Sequence, residues 1–66
     1  MKSYRIVEHS GRSAAPVELV AEMARDERVE QFCRDRLAAS TGLVSIEIWS
    51  QGRQLCHLWS ETRRAA

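Results

Sequence analysis

The last third of the chain contains two segments in which apolar and polar residues alternate, and this feature restricts the fold more than any other. The segments lie between Gly42 and Trp59 and are joined by Ser50, Gln51 and Gly52. Alternation is the side-chain period of a half-buried strand, and a short connection that contains glycine is typical of a tight turn. The sequence therefore predicts a β-hairpin.

The residues of this connection predict a three-residue loop. A two-residue type I′ turn centred on Gln51 and Gly52 needs positive φ at both positions, and glutamine lacks the short side chain that tolerates it. We therefore expect Ser50 and Gln51 to be right-handed and Gly52 left-handed, as in a type I turn followed by a glycine bulge. The two-residue alternative would shift the strand pairing by one residue.

The three-residue loop divides the hairpin into two faces. It places Ile46 opposite Cys56 and Val44 opposite Leu58, on a face that is predicted to pack on the core. The second face is also more apolar than a surface in water should be, although it contains Glu47. The predicted core face comprises Val44, Ile46, Ile48, Cys56 and Leu58, and the candidate interface on the second face comprises Leu43, Trp49, Leu55, His57 and Trp59.

The first part of the chain is predicted to form another hairpin. Residues 3–9 alternate, with Tyr4 and Ile6 on one side, and a turn cluster follows at residues 10–13. Pro16 then opens residues 17–23, in which apolar and polar side chains alternate as they do in a half-buried strand.

A long helix from Pro16 to Ala39 is the alternative, because proline is favoured at the first position of a helix. The helical period argues against it. A 3.6-residue period that continues from Val20 and Met23 reaches polar residues, whereas the apolar positions further on belong to a different stripe. We therefore favour a second strand.

Residues 26–39 have the pattern of a helix. Asp26 is a preferred N-cap, Glu30 and Arg34 have the spacing of an i,i+4 ion pair, and Gly42 is suited to the left-handed conformation that closes a helix. The predicted buried stripe is Val29, Phe32, Cys33 and Leu37.

The order of elements predicts an α+β fold of the ββαββ type, with one helix packed on a four-stranded, mainly antiparallel sheet; a βαββ fold with a long helix is the alternative. We expect one domain over residues 1–66, with an ordered core over about 3–59 and a polar tail over 60–66.

Length and charge indicate the class of partner. A chain of 66 residues buries only about 60% of its unfolded surface, and such domains usually need a disulfide, a metal or a partner subunit for stability. The second apolar face predicts a homodimer or a complex with another protein. Ten Lys and Arg balance nine Asp and Glu, giving a net charge of +1, which disfavours nucleic acid and anionic membranes as partners.

The sequence also predicts a cytoplasmic protein. It shows no secretory signal, and no apolar run approaches the roughly 20 residues of a membrane span. Cys33 and Cys56 are isolated from each other in sequence, which favours reduced thiols over a disulfide framework.

The chain resembles a group of short uncharacterised bacterial proteins that begin with Tyr-Arg in a strand and end in a strand-Trp-turn-Arg-strand hairpin. The matching residues are Tyr4-Arg5, Asp26-Glu27, Ile46-Glu47-Ile48-Trp49 and Arg53. This resemblance implies a ββαββ fold and no known activity, so it assigns no functional residue.

No pattern predicts an enzyme, a metal site or a cofactor. The soft-metal ligands Cys33, Cys56, His9 and His57 lack a short paired spacing, and adjacent strand residues such as Cys56 and His57 point to opposite faces. The glutamates of the strands are interpreted as solvated, because they alternate with apolar residues: Glu8, Glu18, Glu22 and Glu47. A weak binder of single-stranded nucleic acid that uses Trp49 and Trp59 is the alternative to a protein-interaction domain.

Overall fold

A computed structural model describes residues 1–12 and 14–60. It contains β1 (Lys2–Ser10), β2 (Val17–Met23), α1 (Asp26–Ala39), β3 (Leu43–Ser50) and β4 (Arg53–Trp59). This order confirms the predicted ββαββ fold, with residues 17–23 in a strand and not in a long helix. Ser13 of the predicted turn and residues 61–66 of the predicted tail lie outside the described residues.

The four strands form one antiparallel sheet in the order β2-β1-β3-β4. Because β2 and β3 both run antiparallel to β1, they run parallel to each other. A parallel connection of this kind requires a crossover, which the helix supplies. The helix packs against one face of the sheet, where it contacts β2, β3 and β4.

The core lies between α1 and this face. The alternation of β1 turns Tyr4 and Ile6 inward, and the helix contributes residues four positions apart, which share one side of a helix. The buried apolar residues are Tyr4, Ile6, Val29, Cys33, Leu37, Ile46, Ile48 and Leu58, with Leu19, Ala21, Met23, Leu43 and Cys56 packed around them.

The turn between β3 and β4 differs from the prediction. Gln51 and Gly52 both have positive φ, at 53° and 77°, and Ser50 pairs with Arg53, so the connection is a two-residue turn of the I′ kind. The backbone twist of this turn matches the right-handed twist of the strands. That advantage offsets the steric cost of glutamine in a left-handed conformation, which is about 1 to 2 kcal/mol.

A bulge in β4 compensates for the shorter turn. Trp49 pairs with Gln54 but Ile48 pairs with Cys56, which leaves Leu55 as an extra residue. The predicted pairing of Ile46 with Cys56 is therefore wrong; Ile46 pairs with Leu58. One inserted residue reverses the alternation, so Cys56 and Leu58 still lie on the predicted core face.

A second irregularity places Leu43 in the core. His9 pairs with Ser45 but Ser10 pairs with Leu43, so Val44 is the extra residue between them. Leu43 consequently packs against the buried cluster, and its predicted position on the second face is wrong. Gly11 lies beside this bulge, where a Cβ atom would come within 3.4 Å of Val44 Cγ2.

The helix confirms one of its predicted contacts and corrects three other features. Glu30 and Arg34 form the predicted ion pair at 2.8 Å. Asp26 is the first helical residue and Arg25 the N-cap, which makes no side-chain capping bond, while Ser40 ends the helix in an extended conformation. Gly42 is not left-handed, because Gly52 is the glycine with positive φ among the described residues.

Phe32 lies outside the core, contrary to the prediction. Its side chain is 38% exposed, and the guanidinium of Arg36 lies 5.8 Å from its ring centroid. Val29, Cys33 and Leu37 are spaced four residues apart and fill the narrow contact with the sheet by themselves. Phe32 is one residue from Cys33, which turns it about 100° away from that contact.

Two polar contacts attach the ends of the helix to β1. The Tyr4 hydroxyl donates a hydrogen bond to Asp26 in the first helical turn, and Arg36 in the last turn donates to Glu8. Glu8 is only 6% exposed, so its interpretation as a solvated residue is wrong. The carboxylate of Glu8 raises the pKa of Arg36, and the arginine supplies the partner that a buried carboxylate requires.

Alanine substitutions distinguish the core from the helix surface. Ile48→Ala removes a fully buried side chain and should lower the free energy of unfolding by about 2 to 5 kcal/mol. Phe32→Ala should lower it by about 1 kcal/mol, because much of that ring is already in water. Urea denaturation followed by tryptophan fluorescence measures both. Equal losses in the two variants would contradict the observed orientation of the helix.

The contact between Tyr4 and Asp26 predicts a specific alkaline transition. The hydrogen bond to Asp26 and burial raise the pKa of Tyr4 from 10.0 to about 12. Its folded pKa is therefore the higher one, so its contribution to stability is complete below about pH 10 and is lost as the pH rises toward 12. Tyr4 is the only tyrosine of the chain, so absorbance at the tyrosinate band reports it directly.

We expect this absorbance change near pH 12 in the folded wild type and at a lower pH in Asp26→Asn, which replaces the carboxylate acceptor by a neutral amide. A midpoint near pH 10 in folded wild-type protein would show that the hydrogen bond is not formed.

Candidate functional site

The face of the sheet opposite α1 is called the open face here. Within residues 1–12 and 14–60, α1 is the only helix, and it lies against the other face. The strand pairings place the following side chains on the open face: Ser3, Arg5, Val7, His9, Glu18, Val20, Glu22, Ser45, Glu47, Trp49, Gln54, His57 and Trp59.

Glu47 is at the centre of a hydrogen-bond network on this face. Its carboxylate accepts hydrogen bonds from His9 Nε2, from Trp49 Nε1 at 3.2 Å and from Gln54 Nε2 at 3.1 Å. Three strands thus converge on one acceptor. The bond from His9, followed by that from Trp49, lowers the pKa of Glu47. The carboxylate remains charged, with three donors on its about four lone-pair sites.

Two contacts of tryptophan rings lie beside the network, one with a histidine ring and one with an arginine side chain. The rings of His57 and Trp59 are stacked, with centroids 4.5 Å apart and an interplanar angle of 28°. The guanidinium of Arg5 lies 5.5 Å from the Trp49 ring centroid, and Arg5 Nε is 3.3 Å from an oxygen of Glu18. These contacts hold the large side chains in defined positions.

The open face combines exposed apolar groups with a negative balance of charge. Val20 is 79% exposed and Trp59 48% exposed. Among the described residues of this face, the glutamates at positions 18, 22 and 47 outnumber the single arginine, Arg5. The surface is therefore apolar and acidic, which is unsuited to phosphate groups.

The structure places three of the five candidate interface residues on the open face: Trp49, His57 and Trp59. Leu43 is in the core. Leu55, in the bulge, lines a cavity with Lys2 and Asp26 on the helix side. Whether the three residues form an interface stays a prediction.

Sequence reasoning missed the contributions of Arg5, His9 and Val20 to this face. The signal was available for Val20, since it alternates between Glu18 and Glu22. For Arg5 and His9 it was not, because their partners Trp49 and Glu47 are distant in the chain.

The cysteines and histidines lie on different sides of the sheet. Cys33 and Cys56 are free thiols on the helix side, and burial raises the pKa of Cys33 to about 11. His9 and His57 are on the open face, with ring centroids 6.3 Å apart. In the described part of the chain, no three or more His, Cys, Asp or Glu side chains are arranged to hold a metal ion.

Comparisons with protein-family models, curated proteins and solved structures find no match to this chain. The resemblance to short bacterial ββαββ proteins stays a prediction. None of the helices in the described residues has the length and apolar character needed to cross a membrane.

The network around Glu47 predicts which substitution changes the pKa of this carboxyl most. The pKa of Glu47 should lie below 4.5, so its contribution to stability is present above that pH and is lost as the pH falls through the lower, folded pKa. His9→Gln should raise the Glu47 pKa more than His57→Gln does, because the His9 hydrogen bond is the leading cause and His57 acts only through its charge. Carbon-detected NMR titration of the Glu47 carboxyl measures each value.

The two histidine variants are matched controls for each other, since both remove an imidazole from the same face. A wild-type midpoint at or above 4.5, or equal shifts in the two variants, would contradict the described network.

Proposed function

We propose that this protein is a noncatalytic interaction domain that forms a homodimer through its open face. The observation that supports the proposal most strongly is the exposure of Trp59 and Val20 on a sheet face against which no described helix packs. Large apolar groups on the surface of a small domain commonly mark a site of association. Two isolated cysteines agree with a reducing location such as the cytoplasm.

The polar groups of the open face favour contact with a protein. Covering a polar group is costly when it loses water without gaining another partner. Here Glu47 already has three donors, one of which is the Trp49 indole, and Arg5 is paired with Glu18. A second copy can therefore cover the centre of the face without leaving these groups unpaired.

The size of the face indicates a weak dimer. Strands of seven to nine residues are about 23 to 30 Å long, and four strands span about 19 Å. The planar area of the open face is therefore roughly 500 Å². A standard interface buries about 800 Å² on each partner, so this area is smaller. We therefore expect a dissociation constant on the order of micromolar.

Binding of single-stranded nucleic acid is the second candidate. The stacked rings of His57 and Trp59 form a flat surface of the kind on which bases stack. The charge of the face opposes this function, since Arg5 is its only arginine among the described residues and is already paired with Glu18.

Sedimentation equilibrium over a wide range of concentration tests the proposal. The wild type should change from monomer to dimer, whereas Val20→Glu should remain monomeric because it adds a charge to the face. Val20 is well exposed, so this change leaves the core intact. Phe32→Glu introduces the same charge at an exposed apolar residue on the helix side and should still form dimers.

A wild type that remains monomeric up to several hundred times a Kd of about 1 μM would contradict the homodimer. Fluorescence anisotropy with labelled oligonucleotides, measured at two salt concentrations, distinguishes the second candidate. Salt-dependent binding that is lost in Trp59→Ala would support nucleic acid as the partner.

A further inference from the structure

A small cavity lies on the helix side of the sheet, between the start of α1 and the turn that joins β3 to β4. Its volume is about 230 Å³, and it is lined by Lys2, Asp26, Ser50, Gln51, Arg53 and Leu55. The cavity is smaller than the roughly 300 to 1,000 Å³ of pockets that hold drug-sized ligands. Its size therefore suits a ligand of only a few non-hydrogen atoms.

Two departures from regular structure lie at this cavity. Gln51 has a φ of 53°, although glutamine has no special tolerance for the left-handed region. Leu55 is the extra residue of the β4 bulge, so it lies outside the regular alternation of the strand, and its side chain lines the cavity. Irregular backbone conformations are concentrated at functional sites, and bulges often redirect a side chain there.

The acidic residue that lines the cavity has partners in the protein, whereas one of the two basic residues has none among the described residues. Asp26 is satisfied by the Tyr4 hydroxyl and by Lys2, whose Nζ atom lies 3.5 Å from its carboxylate. The Arg53 side chain forms no hydrogen bond or ion pair with any residue in 1–12 or 14–60. The lining residues therefore carry a net positive charge, and Arg53 provides a planar donor group that has no acceptor among the described residues.

We propose that this cavity binds a small molecule that bears one carboxylate or phosphate group. Arg53 holds the anionic group through paired N–H donors, which match the geometry of both groups. The Ser50 hydroxyl, which donates a hydrogen bond of 3.4 Å to the Ser3 carbonyl oxygen, turns to the anionic group when the ligand binds. Leu55 contacts the apolar remainder of the ligand. This site lies on the opposite side of the sheet from the open face, so it does not depend on self-association.

Amide chemical shifts measured during ligand titration test the proposal. Inorganic phosphate and propionate are the two probes, each added at constant ionic strength with chloride as the balancing ion. We expect saturating shifts at Ser50, Gln51 and Arg53 for at least one probe, by about 50 mM for a Kd of about 1 mM. The probe that saturates identifies whether the phosphate or the carboxylate is preferred.

Two variants separate a site from a general salt effect. Arg53→Gln should bind about tenfold more weakly, because it loses the paired donors. Arg12→Gln removes the same charge at the far end of β1 and should bind like the wild type. Absence of saturation with both probes, or equal affinity in the wild type and Arg53→Gln, would overturn the proposal.

Sedimentation of the same samples keeps this result separate from the proposed dimer. Binding by a monomer would support the cavity and contradict the dimer, whereas a dimer without saturating shifts would contradict the cavity alone.

Discussion

Two polar side-chain contacts hold α1 over one face of the sheet, and the rest of this structure depends on that position. Tyr4, Ile6 and Glu8 point to the same side of β1. Tyr4 bonds to the first turn of the helix and Glu8 to the last turn, and Ile6 belongs to the buried cluster that includes the apolar side chains of the helix. The lengths agree. Ten residues of helix from Asp26 to Arg36 rise about 15 Å, and four residues of strand from Tyr4 to Glu8 extend about 13 Å. The two polar contacts therefore fix both ends of the helix, while Ile6 supplies apolar contact between them.

These contacts hold the helix against one face of the sheet. A single helix cannot cover both faces of a four-stranded sheet, and residues 1–12 and 14–60 contain no other helix that could pack on the second face. The side chains of that face are organised around Glu47, and they hold Trp49 and His9 in place. The two bulges decide which residues reach each face, because each inserted residue reverses the alternation of its strand. They turn Leu43 toward the core and take Leu55 out of the regular alternation of β4.

The features of the fold that follow from hydrophobic periodicity could be predicted from the sequence. The features in which contacts between distant residues outweigh a local preference could not. Alternation gave the two hairpins, and the change of helical phase after Met23 correctly separated β2 from α1. The turn at Gln51 was mispredicted because its local steric preference is weaker than the twist preference of the paired strands. Phe32 and Glu8 were mispredicted for a related reason. Hydrophobicity alone places phenylalanine inside and glutamate outside. Phe32 is instead turned away from the stripe of Val29, Cys33 and Leu37, and Glu8 is buried with Arg36 as its partner. The sequence placed Trp49, His57 and Trp59 on the face opposite the core, as the strand pairings do, and their role in an interface stays a prediction. The Glu47 network depends on contacts between distant residues.

The helix α1 covers one face of the sheet, and we propose that a second copy of the chain covers the other. Intermolecular nuclear Overhauser effects in a mixed sample of carbon-13-labelled and unlabelled protein test it most directly. The account predicts contacts between copies at the Val20 methyl groups and the Trp59 indole, with none at the exposed side of α1. Contacts between copies at Phe32 and other helix residues, with none at Val20 or Trp59, would contradict it.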